Sequence, residues 1–165
     1  YKRQGTIYGP IHEPGAPPSE EYLKDWKARV VEVIDKYDPA MLWFDGGWGR
    51  GQYDPYKREL LTYYYSRAEA ADKQVVVAKK GEDLPEGVGV LNFERGRAAG
   101  ILERPWETDT SVYQNSWGYI NDIKYYTADY LIDELIDIVS KNGVMLLNVG
   151  RRTRLPGNRQ GHRGD

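Results

Sequence analysis

Residues 41–48 read Met41-Leu42-Trp43-Phe44-Asp45-Gly46-Gly47-Trp48, a short apolar run closed by a carboxylate and two glycines. Runs of this kind mark strands buried on both faces, as in parallel sheets. Gly46, Gly47, Gly49 and Gly51 then supply a flexible turn. A carboxylate at the C-terminal end of a parallel strand stands where (β/α) barrels keep their chemistry. Asp45 is therefore either a reactive carboxylate or the cap of a strand-to-helix turn, and spacing alone does not separate the two.

Upstream, residues 13–18 are rich in Pro and Gly and cannot be helical. Ser19 then reads as an N-cap, with Glu20 and Glu21 at the positive helix end. Tyr22, Trp26, Val30, Val33 and Tyr37 recur at helical steps and predict one apolar stripe, ending near Asp38-Pro39. The ordinary reading of Tyr22 and Trp26 is core packing. Downstream, a helix is predicted over about 55–71, with Leu60, Leu61, Tyr64 and Ala68 inward. Strands are predicted at 75–78, at 88–93 ending on Glu94, and, more weakly, at 108–114. Thr127 caps an amphipathic helix carrying Leu131, Leu135, Ile138 and Val139. Asn142-Gly143 closes it as a left-handed cap before a last strand at 144–149.

Helices alternating with apolar strands predict an α/β protein with a mainly parallel sheet. A complete (β/α)8 barrel takes at least about 200 residues, against 165 here. The expectation is a partial TIM-like barrel over residues 1–150, lacking the first strands. Residues 151–165, with Arg151, Arg152, Arg154, Arg159 and Arg163, read as an Arg/Gly-rich flexible tail. Five open strands would leave two sheet edges and part of the core uncovered. A homo-oligomer that covers them, with the Tyr-rich helices (Tyr63, Tyr64, Tyr65, Tyr125, Tyr126, Tyr130) at its interfaces, is the corresponding expectation.

Composition narrows the function. Net charge is −2, and because the tail holds five arginines against Asp165, the body ahead of it is distinctly acidic. An acidic body disfavours nucleic acid as a partner. Without Cys, and with His12 and His162 as the only histidines, zinc sites, thiolate chemistry and a Ser-His-Asp triad are disfavoured. No metal or cofactor is expected. Residues 1–10 lack the apolar stretch of a signal peptide and no run reaches membrane-spanning length, so a cytoplasmic location is the default. Fourteen Tyr and five Trp against two Phe suit half-wet surfaces, among them sugar clefts and subunit interfaces.

Glycoside hydrolysis needs two carboxyl groups flanking the scissile bond. Asp45 is a candidate for the first. Glu94 ends its predicted strand in a similar position, where Arg95 or Arg97 would favour its ionised form. A Glu after a strand is also commonly an ion-paired surface residue. Glu103 and Glu107 compete for the second role, and burial of Glu107 beside Trp106 would raise its pKa toward that of a useful acid.

The segments LWFDGGW, LNFERG, PWETDTSVYQNSWGY and LIDELIDIVSKNGVMLLNVG, preceded by PPSEEYLKDWKARVVEVIDKYDP, together resemble the family 29 glycoside hydrolases, the α-L-fucosidases. The resemblance runs from about Tyr8 to Gly150. It implies a retaining hydrolase of terminal α-L-fucosyl linkages, active on fucosylated glycosides without a cofactor and capable of transfucosylation. It places the nucleophile on Asp45 and the acid/base on Glu94, with Glu107 and Glu103 as alternatives. Trp43 and Trp117 would meet the sugar ring and its C5 methyl. Trp48 and Trp106 are further candidate substrate contacts. A basic residue after the following strand falls on Lys79 or Lys80. Two departures from the family pattern stand out: the histidines that family members place ahead of the nucleophile strand are not found, and LLNVG continues into the Arg-rich tail. A truncated non-catalytic carbohydrate-binding or structural oligomer is the alternative function.

Overall fold

The computed structural model describes residues 17–45 and 47–150; His12, His162 and the tail expectation lie outside them. The chain divides between Gly89 and Val90 into two compact units.

The first unit opens with α1 (Glu20–Tyr37). The Ser19 side chain accepts from the Tyr22 N–H at 3.2 Å, and Asp38 turns left-handed (φ 45°) to end the helix. Its buried stripe differs from the predicted one. Leu23 and Ile34 face inward with Trp26 and Val30 packed beside them, while Tyr22, Val33 and Tyr37 are exposed, Tyr37 at 75%. Tyr22-Leu23 and Val33-Ile34 are adjacent apolar pairs, so the spacing fits either member, and the larger aliphatic side chain takes the dry face. After α1 come β1 (Met41–Leu42), a short 3-10 turn (Gly51–Tyr53), α2 (Asp54–Ala70) and β2 (Val76–Lys80). β1 and β2 run parallel, with Met41 level with Val76 and Leu42 level with Val77.

β1 is not buried on both faces. Leu42 and Phe44 turn into a core with Leu60, Tyr64, Val77 and Leu84, whereas Met41 and Trp43 are open to solvent. Alternation of this kind is the signature of a strand with one dry side. An aromatic cluster of Trp26, Phe44, Trp48 and Tyr53 fills the space beyond, with the Phe44 and Trp48 rings 4.2 Å apart. Burial pushes the phenols of Tyr53 and Tyr64 up to about 12, so both stay neutral at any physiological pH.

The second unit holds β3 (Val90–Glu94), β4 (Trp106–Ser111), α3 (Ala128–Ser140) and β5 (Gly143–Asn148). β4 lies in the middle, parallel to both neighbours. Thr127 caps α3 as expected, its side chain accepting from the Tyr130 N–H at 3.2 Å. Asn142, at φ 66°, supplies the left-handed turn into β5. β4 corrects the sequence reading most. It starts two residues earlier than predicted, and all six of its side chains are buried. Its polarity is matched inside: the Thr108 hydroxyl lies 2.7 Å from both the Phe93 and Gly96 carbonyl oxygens. Trp106 Nε1 donates to the Lys141 carbonyl at 2.8 Å.

The stripe predicted on α3 is also only partly used. Ile138 is fully buried and Glu134 nearly so, but Leu135 and Val139 are exposed, together with Ile132 and Ile136. On β5, Val144 and Leu146 are open as well. α3 carries more apolar surface than this unit covers. No helix among the described residues is long and apolar enough to cross a membrane.

Candidate active site

In the first unit, the C-terminal ends of β1 and β2 bring Asp45, Lys80 and Trp43 together. Lys80 Nζ lies 2.9 Å from Asp45 Oδ1 and 4.7 Å from the centroid of the Trp43 ring. The Asp45 side chain is 78% exposed, that of Lys80 only 19%. So exposed a carboxylate gains little stability from its ion pair, typically under about 1 kcal/mol. The contact acts instead on position, since a partly buried ammonium holds one carboxylate oxygen and leaves the other for chemistry. Lys79, the alternative basic residue, turns away: its Nζ meets the carbonyls of Leu84 (3.2 Å) and Pro85 (3.0 Å). Adjacent strand residues point to opposite sides, so only one lysine of the pair can reach Asp45.

Trp48 does not join this group. It is 2% exposed within the aromatic cluster and presents no face to a ligand. Trp106, fully buried beneath Phe93 with rings 5.2 Å apart, is likewise core. Both tryptophans were candidate sugar contacts; Trp48 instead packs among Trp26, Phe44 and Tyr53, and Trp106 among Ala98, Phe93 and Ile138.

In the second unit, Glu94 is the last residue of β3 and is exposed, at the level of Asp109 on β4. Glu107 sits two residues deeper, level with Asn92, whose Nδ2 donates to Glu107 Oε1 at 2.9 Å. Glu103 precedes β4 altogether, so it lies at the opposite end of the strands from Glu94. Topology thus separates the three Glu candidates: one at the strand end, one buried midway, one at the wrong end. Arg97 pairs with Asp137 at 3.6 Å. Arg95 sends its guanidinium to the Tyr113 and Ser116 carbonyls, both at 2.9 Å, with Cζ 4.0 Å from the Trp117 centroid. Trp117 remains 38% exposed.

Sequence reasoning missed Asp109. It shares the face of Glu107 and stands level with Glu94, nine-tenths buried, and its Oδ1 has no hydrogen-bond partner among the described residues. A buried carboxylate with an unpartnered oxygen beside a strand-end Glu is an unusual expense in a fold. Only the register of β3 and β4 exposes it, because nothing in ETDTS distinguishes Asp109 from its polar neighbours. Among the described residues no group of three or more His, Cys, Asp or Glu is arranged to hold a metal ion.

Each unit thus carries carboxylates at or just past the C-terminal ends of its parallel strands and one partly open indole, Trp43 in the first and Trp117 in the second. Comparison with known proteins identifies the class. The family profile for α-L-fucosidase matches residues 3–156. The tissue α-L-fucosidase of Rattus norvegicus is 30% identical over 126 residues, 73% of this chain and 27% of the rat protein. The human tissue enzyme is 27% identical over the same length. Among solved structures, an α-L-fucosidase superposes with a TM-score of 0.69 at 26% identity, covering 86% of this chain and 32% of that one. The Thermotoga maritima α-fucosidase gives 0.66 at 26% identity with the same coverage. The chain belongs to the α-L-fucosidase family of glycoside hydrolases. It spans about a quarter of the length of the curated relatives it matches, and its parallel strands and helices are consistent with part of the fucosidase barrel.

Proposed function

We propose that this chain is the part of a retaining α-L-fucosidase that carries its two catalytic carboxylates. Asp45 attacks the anomeric carbon to form a covalent fucosyl-enzyme. Glu94 protonates the departing oxygen, then deprotonates the incoming water. An alcohol in place of water would give transfucosylation. Lys80 holds Asp45 in place, and Trp43 and Trp117 offer their faces to the sugar. The observation that carries this reading is the contact of Lys80 with both Asp45 and Trp43, in a chain of the fucosidase family.

Glu94 is tested by the leaving group. Glu94→Ala should slow aryl α-L-fucosides with poor leaving groups by roughly 100-fold or more, and activated ones far less, because general acid catalysis is worth about 10²–10⁴-fold. Added azide should restore turnover of the activated substrates. The same pattern in Glu107→Ala, with Glu94→Ala unaffected, would move the acid/base to Glu107.

The 78% exposure of Asp45 also favours a second reading, a carbohydrate-binding or structural protein without turnover. Binding of L-fucose with no hydrolysis of any aryl fucoside would select it. In either case we propose that a second copy of the chain covers the open apolar residues Ile132, Leu135, Ile136 and Val139 of α3 and Val144 and Leu146 of β5. Light scattering should then give a multiple of the 19.0 kDa chain mass. A monomer at high concentration overturns it.

A further inference from the structure

Arg95 occupies a backbone conformation that suits it poorly. Its φ is 46°, in the left-handed region that costs any residue with a Cβ and that Gly adopts freely. Such strain persists only where surrounding contacts hold it. Here those contacts are identifiable. The Arg95 N–H donates to the Asp109 carbonyl at 2.9 Å, tying the turn after β3 to β4. Nη1 and Nη2 each reach a carbonyl at 2.9 Å, of Tyr113 and Ser116, on the loop that follows β4. Two donors on two fixed acceptors set the plane of the guanidinium, and that plane lies over the Trp117 ring with Cζ 4.0 Å from its centroid.

The loop is braced on its other side as well. The Asn148 side-chain amide donates to the Trp117 carbonyl. Gln114 and Lys124 are joined through their backbones, and the Asn115 side chain accepts from the Lys124 N–H at 3.0 Å. The loop backbone therefore has anchors besides Arg95, in β5 and in the loop's own bonds, whereas the face of the indole is met by the Arg95 guanidinium. One side of the ring lies beneath the guanidinium, and the residue as a whole remains 38% exposed.

We propose that Arg95 is a positioning residue that fixes the Trp117 indole as a stacking platform for the apolar face of a sugar ring. This rests on the fucosidase reading above for the identity of the sugar, but not for the placement of the ring. A platform that meets substrate and transition state alike contributes uniform binding, so its loss raises KM more than it lowers kcat. Lys cannot replace Arg95, because a single ammonium on a flexible stem does not hold two carbonyls and a ring plane together.

The test uses the full chain with Arg95→Gly, which relieves the left-handed turn while removing the guanidinium, and Arg95→Lys. The Trp117 signal is obtained as the difference in fluorescence with and without Trp117→Phe, in each background. The expected result is a Trp117 signal shifted in wavelength and about two- to threefold more open to acrylamide quenching in both variants, with unchanged circular dichroism. KM for an aryl α-L-fucoside should rise roughly tenfold in Arg95→Gly, the loss expected for one cation–ring contact, with kcat changed by less than about threefold. An unaltered Trp117 signal overturns the proposal, as does full rescue by Arg95→Lys. An altered signal with unchanged KM overturns the platform. If the parent chain turns over no fucoside, the fucosidase reading fails, and L-fucose binding measured by calorimetry in parent and Arg95→Gly then decides the platform: equal affinity, or no binding by either, overturns it.

Discussion

Asp45→Ala should reduce the turnover of an aryl α-L-fucoside by on the order of 10³-fold or more, since deletion of a covalent nucleophile removes an entire route rather than one favourable contact. The residue is well placed for so large an effect. It lies three residues past β1, is held at one oxygen by Lys80 at 2.9 Å, and has a largely exposed side chain. The side chain does little for the fold, because an exposed ion pair contributes little stability. Activity should therefore collapse while thermal stability barely changes, a separation few core residues would show. Azide supplied to the alanine variant should attack from the vacated side and yield the β-fucosyl azide, of inverted configuration. Equal rates in parent and variant would sink the assignment of Asp45, whatever the fate of Glu94.

Trp106→Ala should have the largest effect on stability. Its indole is fully buried, stacked edge-on against Phe93, and bonded through Nε1 to the Lys141 carbonyl. Gly143 approaches it so closely that an added Cβ would stand 2.5 Å from ring carbon Cζ2, and as a glycine it has no side chain to fill the space that truncation leaves. A truncation of this kind costs about 3–5 kcal/mol, comparable with the lower part of the whole stability of a domain, about 5–15 kcal/mol. Urea denaturation followed by circular dichroism should show the second unit unfolding at much lower denaturant, or already unfolded. A loss below about 1 kcal/mol would show that the indole is not the keystone of that core. The result also bears on function: a sugar platform would have lost affinity, not stability.

Particular residues show where the sequence could be read and where it could not. Ser19 and Thr127 announced their helices because capping depends on side chains a few residues away. Local chemistry is legible. The dry face of α1 was misplaced by one residue because Tyr22-Leu23 and Val33-Ile34 offer the same spacing twice, and only packing against Phe44 and Leu60 chooses. β4 was undervalued for the opposite reason. WETDTS has no apolar period, and its burial depends on hydrogen bonds from β3 that no local pattern encodes. The site followed the same rule. Asp45 and Glu94 were legible as candidates from carboxylates that follow apolar runs, whereas the burial of Asp109 required the register of two strands, and the turn at Arg95 a backbone angle that composition does not reveal.

The polar character of β4 has a consequence for how the second unit assembles. A central strand made of Val and Ile would pair with almost any apolar edge it met, including that of another unfinished chain. WETDTS offers no such adhesive, and so is a poor seed for aggregation. It is also intolerant of error: sliding one residue along β3 would drive the Glu107 and Asp109 carboxylates toward Ile138 and take Trp106 away from its partners Phe93 and Ile138. Misaligned encounters would dissolve rather than persist, and the chain would be left free to try again until Glu94 and Asp109 stand side by side.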